Sequence, residues 1–448
     1  MASKSKRARL VKQRNLAKDF MYWAIAVFVI KLIIIGNVQG GAWLGADGEN
    51  YLQAYDAILK DGIFSSERLL HYWPAGYPLF IFLLSLIGKS YVLTTLTVIQ
   101  SLIYSYAAYM VGSSLSKTKF KKFSILVFAF ILFNPTLSLS SIAVGYESLA
   151  ASGLLISVAL ILNSLIDQTK KLVIRNLVLV SLISGFISFF QPRLLLSSLV
   201  CIAIWIFFLS DKKNKFRYLS IALIIISISP AALIFRNNQA NGFNAISTNL
   251  GVTMNLGAGD NATGAYIKEG YGVPCTALTG NAAEQDSHLV GCVIKWYLGN
   301  PIKGVELFYN KARFFWSPWS GPEASGSMAR NPWLKINPIQ DIASNSLDGN
   351  KLVFGTAGKV ISIAWVLGGL FFMFFGFYTL WKFGGAERVF AVIILTQISL
   401  NWLVAIGTLG DHRQRLPIMG LSLILQAVGV RRVFMNRKDL LVDSTPLR

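Results

Sequence analysis

Apolar residues along this chain come in long unbroken runs, not in the short alternations of a water-soluble domain. Such runs lie at 20–36, 90–113, 123–141, 147–165, 172–190, 194–209, 217–235, 356–381, 388–407 and 416–434. Most approach the length of about 20 residues that crosses a bilayer core. They predict ten spanning helices. A further run at 77–88, YPLFIFLLSLIG, is too short to cross comfortably and predicts a helix in the outer interface. The polar segments between the runs fall into two kinds. Some are short and basic, such as KTKFKK and SDKKNKFR; others are rich in Gly, Asn, Ser, Pro and aromatic residues.

Composition agrees with this pattern. The chain has 448 residues, 54% hydrophobic and 14% charged, where a soluble protein carries about 25% charged residues. The fold class expected is an all-α polytopic membrane protein. The net charge of +21 would suggest nucleic acid in a soluble protein. Here the positive-inside rule accounts for it, so the bilayer is the expected partner and nucleic acid is not. With the basic segments cytoplasmic, that side holds 25 of the 42 Lys/Arg and 6 of the 21 acids, and the outer side holds 16 basic residues and 15 acids. Lys31, inside the first span, is left out of that count and is expected to snorkel to a headgroup. Turning 77–88 into a full span would put KTKFKK outside and spoil the asymmetry.

Five regions follow. Residues 1–19 are a basic cytoplasmic tail, too polar for a signal peptide. Residues 20–235 form an N-terminal transmembrane module whose first outer loop is 37–89. Residues 236–355 are an extracytoplasmic subdomain of mixed structure, because their length, aromatic content and mixed polarity argue against a linker. Residues 356–434 form a C-terminal transmembrane module, and 435–448 a second cytoplasmic tail. Cys201 falls in a span and reads as packing. Cys275 and Cys292 both fall in the outer region, where an oxidising compartment favours a disulfide between them.

Groups able to do chemistry collect on the outer side. Asp47 and Glu49 open the first outer loop, Glu147 stands at the rim of the second, Arg193 ends the third, Arg236 opens the subdomain, and Asp411, His412, Arg413 and Arg415 make the last loop. Ionised groups at a membrane face are usually kept for function. Acids and arginines together suit transfer of a group from a phosphate leaving group to a hydroxyl. A carboxylate takes the acceptor proton, and arginines match phosphate geometry without losing a proton. Each residue also has a plainer reading. Asp47 can cap the helix starting near Tyr51, Glu49 and Glu147 can complement a helix dipole, and the arginines and Trp73 can be interfacial anchors. His71 and His412 read as bystanders. The sequence has no HExxH or CxxC metal spacing and no phosphate-cradling Gly loop.

The stretch ADGENYLQAYDAILKDG, followed by WPAGYPLFIFLLSLIG, resembles the first outer loop of GT-C type membrane glycosyltransferases. The branch resembled is that of the protein mannosyltransferases and aminoarabinose transferases, with their bacterial members. NPTLSLSSIAVGYESLAASGLL resembles the second outer loop, FRNNQANGFNAISTNLGVTMNLGAGDNATGAY the entry to the large outer region, and GDHRQRLPIMGLSLILQA the closing segment. The resemblance implies a GT-C bundle of about ten spans plus an interfacial helix, in a bacterial inner membrane with both termini cytoplasmic. It implies a polyprenyl-phosphate-linked sugar donor and inverting transfer to a hydroxyl on a glycan, lipid or protein, at the extracytoplasmic face. Asp47 would be the general base and Glu147 a second acid shaping the acceptor site. Arg413 and Arg415 would meet the carrier phosphate. The outer loops themselves add Glu49, Tyr51, Trp73, Arg193 and Arg236 as substrate-binding candidates. No cofactor is specified, and a divalent metal is left open. The chain departs from the family where Gly48 separates the two acids, where Trp73-Pro74-Ala75-Gly76 replaces a Pro-Pro element, and where Tyr146 precedes the second-loop acid. Two other classes stay open: a lipid-diphosphate-dependent glycan polymerase or ligase, and a transporter or lipid flippase. The transporter class is disfavoured by the lack of an internal repeat and by the few ionisable residues mid-span.

Overall fold

A computed structural model describes residues 16–44, 47–209, 211–265, 272–276, 279–317 and 356–434. Most of the two expected tails, and residues 318–355 of the expected subdomain, lie outside the described residues. Helix α1 (Leu16–Asn37) leads to a two-residue strand β1 (Trp43–Leu44) and to α2 (Gly48–Asp61), α3 (Leu69–Tyr72) and α4 (Gly76–Ser85) of the first loop. Helices α5 (Val92–Leu115) and α6 (Lys121–Leu132) follow, then α7 (Pro135–Ser140) and β2 (Ala143–Val144) of the second loop. Next come α8 (Glu147–Ile166), α9 (Lys170–Phe190), α10 (Leu194–Phe208) and α11 (Lys215–Asn241). The region expected to lie outside contributes α12 (Leu250–Leu256), α13 (Ala282–Gly299) and α14 (Pro301–Trp316). Helices α15 (Thr356–Phe383) and α16 (Gly385–Gly407), a 3-10 turn (His412–Arg415) and α17 (Leu416–Val433) close the chain.

The chain is a polytopic membrane protein of the all-α class, the two short strands being the exception among the described residues. Among the described residues, seven helical segments are long and apolar enough to cross a membrane: α1, α8, α9, α11, the later part of α15, α16, and the stretch His412–Val433. Three of the ten expected spans differ. The run at 90–113 is α5, long enough at 24 residues, but Thr97, Gln100, Ser101 and Tyr104 make it less apolar. The run at 123–141 breaks at Asn134–Pro135, where Pro135 lacks an N–H and the Asn134 side chain accepts from the Leu137 amide at 2.9 Å to start a new helix. The run at 194–209 forms a helix of only 15 residues. The expected interfacial helix is α4, ten residues long and too short to cross.

Helix α8 is the most buried of the seven segments and packs against α5, α9, α16 and α17. Its opening run of Ser148, Ala150, Ala151, Ser152 and Gly153 keeps its surface thin, and small residues let membrane helices approach closely. The same device joins α15 to α17. A Cβ on Gly376 would lie 1.9 Å from the Leu425 carbonyl oxygen, and one on Gly429 would lie 2.1 Å from that of Phe372.

Lys31 corrects an expectation. It does not snorkel: it is 2% exposed, its Nζ donates to Ser141 Oγ at 3.0 Å, and it lies over the Tyr104 ring. Ser141 belongs to the second loop, so this buried hydrogen bond ties that loop to α1.

Cys275 and Cys292 form a disulfide that ties the 272–276 segment to α13. Helix α14 packs on α16 and on the His412–Arg415 turn, coupling residues 282–317 to the segment that carries Arg413.

Candidate functional site

Strands β1 and β2 pair in parallel, Trp43 with Ala143 and Leu44 with Val144. Asp47 stands three residues past Leu44, and Glu147 three residues past Val144. The pairing therefore brings the two loops that end in these acids to one place. The second loop is held from beneath by a buried polar chain. Gln100 Nε2 donates to the Ala143 carbonyl at 2.9 Å, Tyr77 Oη donates to Gln100 Oε1, and the Gly145 amide donates to Tyr77 Oη at 2.8 Å.

Asp47 occupies the N-cap position of α2, yet its side chain makes no capping bond. Its Oδ2 lies 2.7 Å from Arg413 Nη2 instead. Glu147 opens α8, and its Oε1 takes both Nη2 of Arg413 at 2.8 Å and Nε at 2.9 Å. One guanidinium thus joins two carboxylates from segments far apart in sequence. Glu147 folds close over Gly145: a Cβ there would sit 2.5 Å from Glu147 Oε2.

Arg413 is aimed by its own turn. Asp411 Oδ1 accepts from the Arg413 amide at 3.1 Å and lies 3.0 Å from His412 Nδ1. Burial pushes the Asp411 carboxyl upward, but His412 and the Arg413 amide outweigh it and hold it below the usual carboxylate range. Arg193 is a neighbour. Its Nη2 donates to the Gln414 carbonyl at 3.2 Å, while its Nε is buried with no hydrogen-bond partner among the described residues. Burial draws Arg193 below the usual guanidinium value, opposed by Tyr146 and Glu147.

An aromatic floor lies under Asp47. The buried Tyr51 ring is 5.0 Å from Tyr77, 5.8 Å from Trp73 and 6.4 Å from Tyr146. Burial, then the Asp47 charge, holds the Tyr51 hydroxyl well above its ordinary value. Burial pushes Tyr146 up to about 12, and its hydroxyl accepts from Gln191 Nε2 at 2.8 Å. Both phenols are therefore neutral at physiological pH.

Three expected site residues lie apart from this cluster. Glu49 is exposed on α2, and no hydrogen bond or ion pair engages it among the described residues. Arg236 is a clamp: its guanidinium donates to the carbonyls of Ile63, Ser65 and Leu70 and to Asn237 Oδ1. Arg415 Nη1 donates to the Trp316 carbonyl at 2.7 Å, and its guanidinium lies over that indole, towards α14. His71 is structural, its Nδ1 3.0 Å from Thr248 Oγ1.

Tyr77, Gln100, Gly145 and Tyr146 escaped the sequence reading as site residues. A glutamine in the middle of an apolar run was the available signal, since a buried amide needs partners. An open cavity of about 670 Å³ lies elsewhere, lined by Phe243, Asn244, Asn281, Glu284 and His288 among others. It contains none of the clustered residues. Among the described residues, no three His, Cys, Asp or Glu side chains group to hold a metal.

No protein-family model matches the chain, and no curated protein matches it. Among solved structures it is similar to the oligosaccharyltransferase AglB from Archaeoglobus fulgidus, in complex with an inhibitory peptide and a dolichol-phosphate. The TM-score is 0.46 at 13% identity, over 92% of this chain and 50% of that one. The chain thus spans about half the length of that protein.

Proposed function

We propose that this protein is an integral-membrane glycosyltransferase that moves one sugar from a polyprenyl phosphate to a hydroxyl of a glycan, lipid or protein on the extracytoplasmic face. The observation that carries the reading is the Asp47–Arg413–Glu147 cluster, built where three connecting segments meet. It joins a carboxylate able to accept a proton to a cation able to hold a phosphate. The motif resemblance of the same three segments supports it.

In the reaction, Asp47 takes the proton of the acceptor hydroxyl. The acceptor oxygen forms a bond to the anomeric carbon as the bond from that carbon to the phosphate oxygen breaks. The electron pair leaves with the lipid phosphate, which becomes a dianion held by Arg413, with Arg193 nearby. Attack in line inverts the anomeric centre. Glu147 holds the inner edge of Arg413 and shapes the acceptor side. Trp73, half-buried against the buried Tyr51, offers apolar ring surface to a sugar.

The test is turnover by the purified protein with a polyprenyl-monophosphate sugar. Asp47→Asn is expected to abolish transfer while the protein still inserts and elutes as a folded species. Near-wild-type turnover by that variant overturns the base assignment. Turnover with a diphosphate donor alone would assign the protein to the polymerase or ligase class.

A further inference from the structure

The proposed chemistry asks two things of groups that are bound to each other. Asp47 must be available to an acceptor hydroxyl, and Arg413 must be available to a phosphate. In the structure each occupies the other. The guanidinium has two usable edges. Glu147 Oε1 spans the Nε–Nη2 edge with two contacts. Asp47 makes one contact, at Nη2, and its side chain is the more exposed of the two acids, 26% against 10%. Nη1 donates to nothing among the described residues. The Nη1–Nη2 edge is the one that a phosphate takes with two parallel bonds, and Asp47 stands on it.

We propose that the donor phosphate displaces Asp47 from Arg413, so that donor binding frees the base and must precede acceptor activation. Glu147 stays in place throughout and keeps the guanidinium aimed. Without the donor, Asp47 Oδ2 stays on its counter-ion and is turned from the acceptor side. This rests on the reading of Arg413 as the phosphate site and adds to it a binding order.

The consequence is a variant that binds better and works worse. The probe is a polyprenyl monophosphate titrated into the purified full-length protein in lipid nanodiscs. Asp47→Asn is expected to bind it about five- to tenfold more tightly than wild type, because phosphate no longer competes with a carboxylate. Asp47→Ala serves the same purpose if the asparagine variant does not fold. Glu147→Gln removes the same charge from the same guanidinium. It is expected to leave affinity unchanged or to weaken it, because the anchor is lost. Arg413→Ala is expected to lose at least about tenfold in affinity. If Arg413→Ala binds as wild type does, the phosphate-site reading falls and the displacement with it. If Arg413→Ala loses binding but the Asp47 variants bind no tighter than wild type, the displacement alone is overturned. Equal tightening in Glu147→Gln also overturns it, because charge removal would then explain the effect.

Discussion

Asp47 and Glu147 share one guanidinium because Leu44 and Val144, each three residues earlier, are partners in a parallel pair. The carboxylates lie a hundred residues apart in sequence. A ladder of two residues per strand fixes their approach, and Arg413 neutralises the repulsion that the approach creates.

Gly145 tests how strictly that geometry is needed. Gly145→Ala would set a methyl group 2.5 Å from Glu147 Oε2, which must turn away and draws on Oε1, the atom that holds Arg413. Transfer is expected to fall by no more than about a hundredfold, the order that misplacement of about 1 Å costs. Insertion and thermal melting of the purified variant should stay close to wild type.

Tyr77 carries a structural prediction. Its hydroxyl satisfies both the Gly145 amide and Gln100. Tyr77→Phe leaves a buried N–H without its partner, at a cost of about 1–3 kcal/mol. The melting temperature should drop, and activity should drop with it because the second loop carries Glu147.

Arg236 separates anchoring from ligand contact. Arg236→Met strips the donors from the carbonyls of Ile63, Ser65 and Leu70. We expect a stability loss of at least about 1–3 kcal/mol, with polyprenyl-phosphate affinity in the folded fraction within about twofold of wild type. A selective loss of affinity at unchanged stability would return Arg236 to the substrate-binding set.

Lys311 predicts a pH dependence. It is fully buried on α14, its Nζ donating to Tyr297 Oη and to the Thr408 carbonyl, and burial lowers it from 10.5 to about 7. Between these values the unfolded chain holds a proton that the folded chain lacks, so stability rises with pH from about 7 to about 10.5. Below about 7 both states are protonated and this contribution is flat. Unfolding measured across that range should show the rise in wild type, and Lys311→Met should remove it.

The bundle was legible because spans are written in a simple code of length and apolarity. That code failed where local chemistry interrupts it, as at Pro135. The loops that carry chemistry could be found from their charges, but the partners of those charges could not. Helical period did hold one clue: Glu49 lies two residues past Asp47, about 200° around α2, so only one of the two acids could face Arg413. Arg236 looked like a phosphate ligand because an arginine at a span end has the same letter in either role. Which carbonyls surround it depends on how the first loop folds back onto α11. Strands β1 and β2 are too short for any alternation to show, and the Lys31–Ser141 bond joins residues 110 positions apart.

Arg413 is supplied by the turn that precedes α17. That turn lies 266 positions beyond Glu147, so the two carboxylates gain their shared counter-charge only when it docks on their loops. Whatever loosens that docking releases both acids at once.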